Sequence, residues 1–217
     1  MRQILNLVLI TLCLGCAIDF SRIAPGYTEA FKSINNLLFG YEDNIISAEL
    51  IENIPYASMI ITIGKGPQGL MILESKNYQD NIWVSADKVY LKERNGRIIQ
   101  TRGLNNNIDE LIYTVDFSDL RNIDTTKTYI YFKSFSNPTL NNLVLEAKFS
   151  IKETKLVRLV NQNLYLTLVE EKVSSKVLGW NFVNEYWIDE NSYVWKSSQK
   201  ISPKLPRVFI EVTKKPS

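Results

Sequence analysis

The stretch from Leu143 to Lys152 admits little but a β-strand. Leu143, Leu145, Ala147, Phe149 and Ile151 alternate there with Val144, Glu146, Lys148, Ser150 and Lys152. Successive side chains on an extended backbone point to opposite faces, so this segment has one dry face and one mostly wet face. Leu164, Leu166 and Leu168 repeat the alternation, and residues 182–189, 193–199 and 208–213 read as three further strands. Earlier in the chain Met59, Ile61 and Ile63 alternate with Ile60 and Thr62, an apolar run that predicts burial on both faces.

The breaks between these runs are short. Gly64, Gly66 and Pro67 supply a turn, and residues 69–73 start the return strand. The hexapeptide GKGPQG at that turn is not a phosphate loop: it lacks the Walker spacing, and Pro67 removes a backbone donor such a loop needs. Residues 89–94 and 97–102 flank Asn95-Gly96, the strongest short-range hairpin signal, because a type I′ turn needs positive φ at both central residues. Arg94 and Arg97 then face each other beside the turn, a small like-charge cost that solvent softens at an exposed tip. Consecutive strands with short turns predict an all-β, largely antiparallel sandwich or barrel, not a parallel α/β sheet. Residues 103–127 carry the weakest pattern and are the candidate junction between two β halves.

The N-terminus has a different character. Arg2 supplies a positive start, Ile4 to Leu14 an apolar stretch broken only by Asn6 and Thr11, and Gly15 a small residue directly before Cys16. That order is a signal peptide over residues 1–15 with a lipobox, so Cys16 is expected to take a diacylglycerol and become the first residue of the mature protein. Cys13 stands where Leu is most frequent in lipoboxes, a slight departure, and Leu12 is too large to precede a second cleavage there. Two or three acyl chains anchor a protein stably. A transmembrane anchor is the competing reading, but the apolar run is roughly half of the ~20 residues needed to span. Ala17 lacks the Asp that favours inner-membrane retention in enteric bacteria, which points to the outer membrane, facing the periplasm. A tether over 16–27, punctuated by Pro25 and Gly26, leads to a helix that Thr28 caps and that runs to about Phe39, with Phe31, Ile34 and Leu38 on one side. The β-rich domain is expected over 28–217.

Both cysteines fall at or before the processing site, so the mature domain is expected to stand without a disulfide. The chain has no histidine, which excludes a Ser-His-Asp triad, a Cys-His pair and His-ligated zinc. With 25 Lys+Arg against 23 Asp+Glu there is no basic footprint for nucleic acid. No cofactor is expected beyond the covalent lipid on Cys16, and no metal.

Three longer runs point to a family. Residues 54–64, IPYASMIITIG, and the run IWVSADKVYLKERNGRIIQTRGLNNNI from Ile82 resemble the group 4 capsule polysaccharide lipoprotein family, of the YjbF/GfcB type. NEYWIDENSYVWKSSQKISPKLPRVFIEVTKKP, from Asn184 onward, resembles that family's terminal hairpin and last strand. Pro55, Tyr56, Trp83, Asp87, Asn95, Gly96 and Gly103 carry the match most clearly. The resemblance implies an all-β periplasmic domain tethered to a membrane. It also implies a role assisting export or assembly of capsule or exopolysaccharide, and no catalytic residues to carry over. The partners it implies are the membrane, through the lipid, and polysaccharide export or assembly proteins.

Direct glycan contact is a further expectation. All four tryptophans lie in the β region, and Trp187 and Trp195 occupy the two arms of one predicted hairpin, with Tyr186 and Tyr193 beside them. Aromatic faces stack on sugar rings, so Trp83, Tyr186, Trp187, Tyr193 and Trp195 are the candidate glycan or partner contacts. Large aromatics more commonly fill or edge a β core. Asp109-Glu110, Glu170-Glu171 and Asp189-Glu190 are the paired carboxylates, but neighbours on a strand point apart and cannot flank one glycosidic bond. Asn105, Asn106 and Asn107 could bind hydroxyls or a cation, although Asn is also favoured in plain loops. The expectation is therefore a non-enzymatic lipoprotein that docks to partner proteins or glycan. A carbohydrate-active enzyme and a structural envelope lipoprotein are the alternatives.

Overall fold

The computed structural model describes residues 45–113 and 118–216. The signal peptide, Cys16, the tether and the helix expected at 28–39 lie outside these residues. The described chain opens with a five-residue helix, α1 (Ala48–Glu52), whose cap Ser47 accepts from the Leu50 amide at 3.2 Å. Strands follow: β1 (Ser58–Ile63), β2 (Gln68–Asn77), β3 (Asp80–Ser85), β4 (Tyr90–Arg94), β5 (Arg97–Arg102) and β6 (Ile108–Tyr113). After a 3-10 turn (Leu120–Asn122) come β7 (Tyr129–Phe135), β8 (Leu140–Arg158), β9 (Asn163–Ser175), β10 (Trp180–Ile188), β11 (Val194–Gln199) and β12 (Val208–Lys214). All pairings are antiparallel, in the order β5-β4-β3-β2-β1-β12-β11-β10-β9-β8-β7-β6. This single sheet curls until its two ends, β5 and β6, meet, so the fold is a nearly closed barrel rather than a sandwich.

The period-two pattern accounts for the barrel wall. Leu143, Leu145, Ala147 and Phe149 of β8 are buried, whereas Val144 and Lys148 face solvent. Ile151 departs from the expectation and is 40 % exposed. The pairing of β8 with β9 shifts register between Ile151 and Thr154, and such a bulge turns the residues at it away from the ladder's pleat. On β9 the core face is Val169, Glu171 and Val173, not the leucine series: Leu166 is buried, while Leu164 and Leu168 are half-buried. Outside the barrel, Ile46 and Ile51 cover Ile60 together with Leu70 and Val160. This small second core explains why β1 reads as apolar on both faces. Each such aliphatic burial contributes about 1.5–3 kcal/mol.

The Asn95-Gly96 turn forms as the sequence predicts, with φ of 51° and 78°, and Arg94 pairs in register with Arg97. Solvent does not separate the two charges, however. Arg94 turns to Asp80, and Arg97 is buried inside the barrel against Glu171.

Side chains rather than a backbone ladder close the seam. Gln100 donates to the Asp109 carbonyl at 2.8 Å, Arg102 pairs with Asp109 at 2.8 Å, and the Ile108 amide donates to Thr101 Oγ1 at 2.9 Å. Asn107 exchanges hydrogen bonds with the backbone of Leu104 at 3.0 and 2.8 Å. Asn106, 3 % exposed, donates to the Ser136 and Asn137 carbonyls and accepts from Ser202. These two amides are committed to holding the connection across the seam, as a loop reading requires. The stretch 103–127 also contains a full strand, β6, which its adjacent acidic residues Asp109 and Glu110 conceal. Thr101→Val keeps the strand shape but removes the acceptor for a buried amide. We expect a loss of about 1–3 kcal/mol in urea unfolding, with faster hydrogen exchange at Ile108.

Candidate functional site: an amide-lined cleft at the barrel rim

Three tight connections determine what stands at one rim of the barrel. The β2–β3 turn carries Tyr78 and Gln79, the β4–β5 turn carries Asn95 and Gly96, and residues 189–193 join β10 to β11. Together with Asn81, Glu93 and Lys215 they enclose an open cleft of about 340 Å³. That volume suits one small polar ligand or one unit of a longer one.

Local chemistry holds each wall. Tyr78 adopts φ of 54° at its turn and is 95 % exposed, so its ring is presented to solvent rather than packed. Asp189 Oδ1 accepts from the amides of Asn191 and Tyr193 at 2.8 and 2.9 Å, and its Oδ2 accepts from the Trp195 indole N–H at 2.9 Å. This fixes the 189–193 loop and sets Tyr193 edge-on to Trp195, with ring centroids 5.1 Å apart. Lys215 places its ammonium 4.2 Å from the centre of the Tyr193 ring. Glu93 accepts from Asn81 Nδ2 at 2.8 Å, from the Trp83 indole at 3.4 Å and from the Gly96 amide. Burial pushes the Glu93 carboxyl above its usual value, against the pull of those three donors.

Two polar atoms in this wall are left over. Asn81 Oδ1 and Asn95 Nδ2 are buried and have no hydrogen-bond partner among the described residues. Leaving such atoms unmade costs about 1–3 kcal/mol each, and native structures satisfy them with water or a ligand. Neither atom is open to a ligand as the side chains stand, so an occupant would have to turn these two amides outward beside the exposed Tyr78 ring. That combination matches vicinal hydroxyls and the apolar face of a sugar ring. Glu93 is the sole carboxylate among the described lining residues, whereas glycoside hydrolysis by the usual route requires two.

The five aromatic candidates separate in the structure. Trp83 and Tyr186 lie inside the barrel, each 1 % exposed, and present no ring face to an external ligand. Trp187 lies half-buried on the opposite side of β10 from Tyr186, paired in register with Leu168 and Lys196. Tyr193 lines the rim cleft, and Trp195 supports it from behind. Sequence reasoning missed Tyr78, Asn81, Glu93 and Asn191. The available signal was the pair of tight turns, which bring residues distant along the chain to one rim.

The chain matches, over residues 31–213, the family model described as group 4 capsule polysaccharide lipoprotein gfcB, YjbF. It is similar to the uncharacterized lipoprotein GfcB of Escherichia coli (strain K12), 25% identical over 157 residues, which are 70% of this chain and 72% of that protein. It is also similar to the uncharacterized lipoprotein YjbF of the same organism, 24% identical over 179 residues, 79% of this chain and 81% of that protein. The crystal structure of the hypothetical lipoprotein YmcC from Escherichia coli (K12) shares the fold, with a TM-score of 0.69 at 23% identity, covering 85% of this chain and 95% of that one.

Proposed function

Because this chain belongs to the group 4 capsule polysaccharide lipoprotein family, we propose that it assists export or assembly of a capsule or exopolysaccharide from the periplasmic face of the outer membrane. In this reading acylated Cys16 holds the protein at the membrane. The barrel presents its rim cleft to the passing polymer, and polysaccharide export or assembly proteins meet it there. The observation that supports glycan contact is the cleft itself, which the exposed Tyr78 ring lines together with Asn81 and Asn95.

The test is exopolysaccharide quantified inside the cell and at its surface in a strain lacking the protein, complemented with wild type, Cys16→Ser or Tyr78→Ala. Wild type is expected to restore surface polymer, Cys16→Ser to fail after leaving the membrane fraction, and Tyr78→Ala to restore less than wild type at equal protein level. In binding to polymer fragments, Tyr78→Ala should weaken affinity about tenfold, the loss of one stacking contact. Its fully exposed ring makes no difference to folding, so thermal unfolding should be unchanged. Unaltered polymer amount, chain length and location in the deletion strain would sink the export reading.

A further inference from the structure

The barrel interior holds a charge cluster separate from the rim cleft. Glu171 is fully buried on β9. Its Oε1 accepts from the Tyr131 hydroxyl at 2.7 Å and pairs with Arg97 Nη2 at 2.9 Å. Its Oε2 accepts from Asn184 at 2.9 Å and from the Tyr186 hydroxyl at 3.0 Å. A carboxylate has about four acceptor positions, so Glu171 is saturated. Arg97 is further enclosed by the rings of Tyr131, Tyr186 and Tyr113, whose centroids lie 5.0, 5.7 and 5.9 Å from its Cζ.

Lys133 enters the same interior from β7 and is 6 % exposed. Among the described residues its ammonium meets no hydrogen-bond acceptor or carboxylate partner, and lies 5.8 Å from the centre of the Phe135 ring. Glu171, the nearby anion, has no acceptor left for it. Two buried cations therefore share one carboxylate. Lys133, Arg97, Glu171, Asn184, Gln199 and Lys200 also border a cavity of about 20 Å³. A single water-sized occupant needs ~10–15 Å³, so the space holds one small species and excludes a sugar, a sulfate or any larger carboxylate.

We propose that this cavity is a binding site for one monatomic anion, of which chloride is the abundant example, held by Lys133 beside the Arg97–Glu171 pair. The cluster then carries two positive and two negative charges, and Lys133 gains an anionic partner beside the Phe135 ring. The amides of Asn184 and Gln199 border the same space.

Protonation is coupled to occupancy. Burial pulls Lys133 down to about 7, with repulsion from Arg97 adding to the effect and Glu171 opposing it. A lysine whose folded pKa is depressed binds its proton less readily in the native than in the unfolded state. Without anion, stability therefore rises with pH from about 7 toward the ordinary lysine value of 10.5. An anion favours the ammonium form, so it should bind more tightly at pH 6 than at pH 9. The other groups facing the cavity are Arg97, Glu171, Tyr131, Tyr186 and Lys200. Attraction to Arg97 and its three neutral donors hold Glu171 below the usual carboxylate range despite burial, and the tyrosines are pushed well up. Burial and Arg207 lower Lys200, which donates to the Leu205 carbonyl, and Lys172→Met, exposed on the outer face of β9, serves as the control for loss of a lysine.

The experiment is thermal unfolding of the mature lipoprotein in non-ionic detergent, in sodium chloride, sodium gluconate or sodium sulfate at equal ionic strength. At pH 6 the wild type should gain roughly 3–5 °C at saturating chloride over the other two salts. The gain should shrink at pH 9, persist in Lys172→Met and vanish in Lys133→Met. Equal responses to the three salts, or an unchanged chloride response in Lys133→Met, would overturn the site. Should Lys133→Met fail to fold, wild-type crystals grown in sodium bromide decide the matter. An anomalous bromine peak beside Lys133 supports the proposal, and a water there refutes it.

Discussion

Glu171→Gln is expected to destabilise the barrel by about 3–5 kcal/mol, the usual consequence of removing one partner from a buried ion pair. The amide supplies one acceptor oxygen where four donors now converge on two. Its NH2 group would be turned toward a guanidinium, which cannot accept, or toward hydroxyls that accept only by turning their own protons away from the carboxamide. Arg97 and Lys133 would remain as buried cations with no carboxylate between them. Urea unfolding measures the loss directly. The double variant Glu171→Gln with Arg97→Met should recover part of it, because the uncompensated guanidinium is gone. A loss under about 1 kcal/mol in the single variant would mean that the interior is wetter than the packing of Tyr131 and Tyr186 indicates.

This cluster also marks the limit of what periodicity can convey. Leu143 to Phe149 announced their strand because every second residue is apolar and the partner strands run without a break beside them. β9 did not announce its inner face, because a glutamate occupies the centre of it at Glu171 and a threonine lies two residues before Val169. Alternation is read from side-chain chemistry, and a paired charge inside a barrel has the wrong chemistry for its position. The Arg94–Arg97 pairing shows the same division. The turn type fixed which residues face each other, while Asp80 and Glu171, distant in sequence, decided where each charge goes. Adjacent carboxylates Glu170 and Glu171 do point apart, as the strand geometry demands: Glu170 pairs with Lys152 outside and Glu171 with Arg97 within.

Closure of the sheet was equally hidden. Strand count and short turns allow a sandwich or a barrel, and the choice is made at one place, where Thr101, Gln100 and Arg102 meet Asn107, Ile108 and Asp109. Those contacts are side chain to backbone or side chain to side chain, and no local pattern records them. The candidate glycan contacts failed to assemble for a related reason. A tryptophan's usefulness to a ligand depends on which face of the strand it occupies. Trp83 and Tyr186 fell on the inner face, Trp187 on the outer, and only the loop-borne Tyr193 reached the rim. Tyr78, standing alone in a polar turn, had no pattern to distinguish it.

Gly96→Ala should cost about 2–4 kcal/mol, and Gly179→Ala only about 1 kcal/mol, although both glycines occupy the left-handed region. The φ values are 78° and 58°, so the backbone penalty for an added Cβ is similar at the two sites. The surroundings differ. Around Gly179 nothing lies within 4 Å of the new carbon, whereas at Gly96 it would sit 2.3 Å from Cβ and Cγ2 of Val194. Val194 is the first residue of β11, and its branched side chain has no rotamer that withdraws its own Cβ. Gly96 cannot retreat either: its amide donates to Glu93 and its carbonyl accepts from Gln199 at 2.8 Å. The strain must therefore spread into the 189–193 loop, which forms one wall of the rim cleft. Denaturant unfolding of the two variants side by side separates the terms. Equal losses would mean that the hairpin tip and β11 part easily, and that the cleft is not a preformed site. A larger loss at Gly96, with weakened binding of polymer fragments, would mean that the turn read from Asn95-Gly96 does more than reverse the chain: it sets the distance between the walls that receive the ligand.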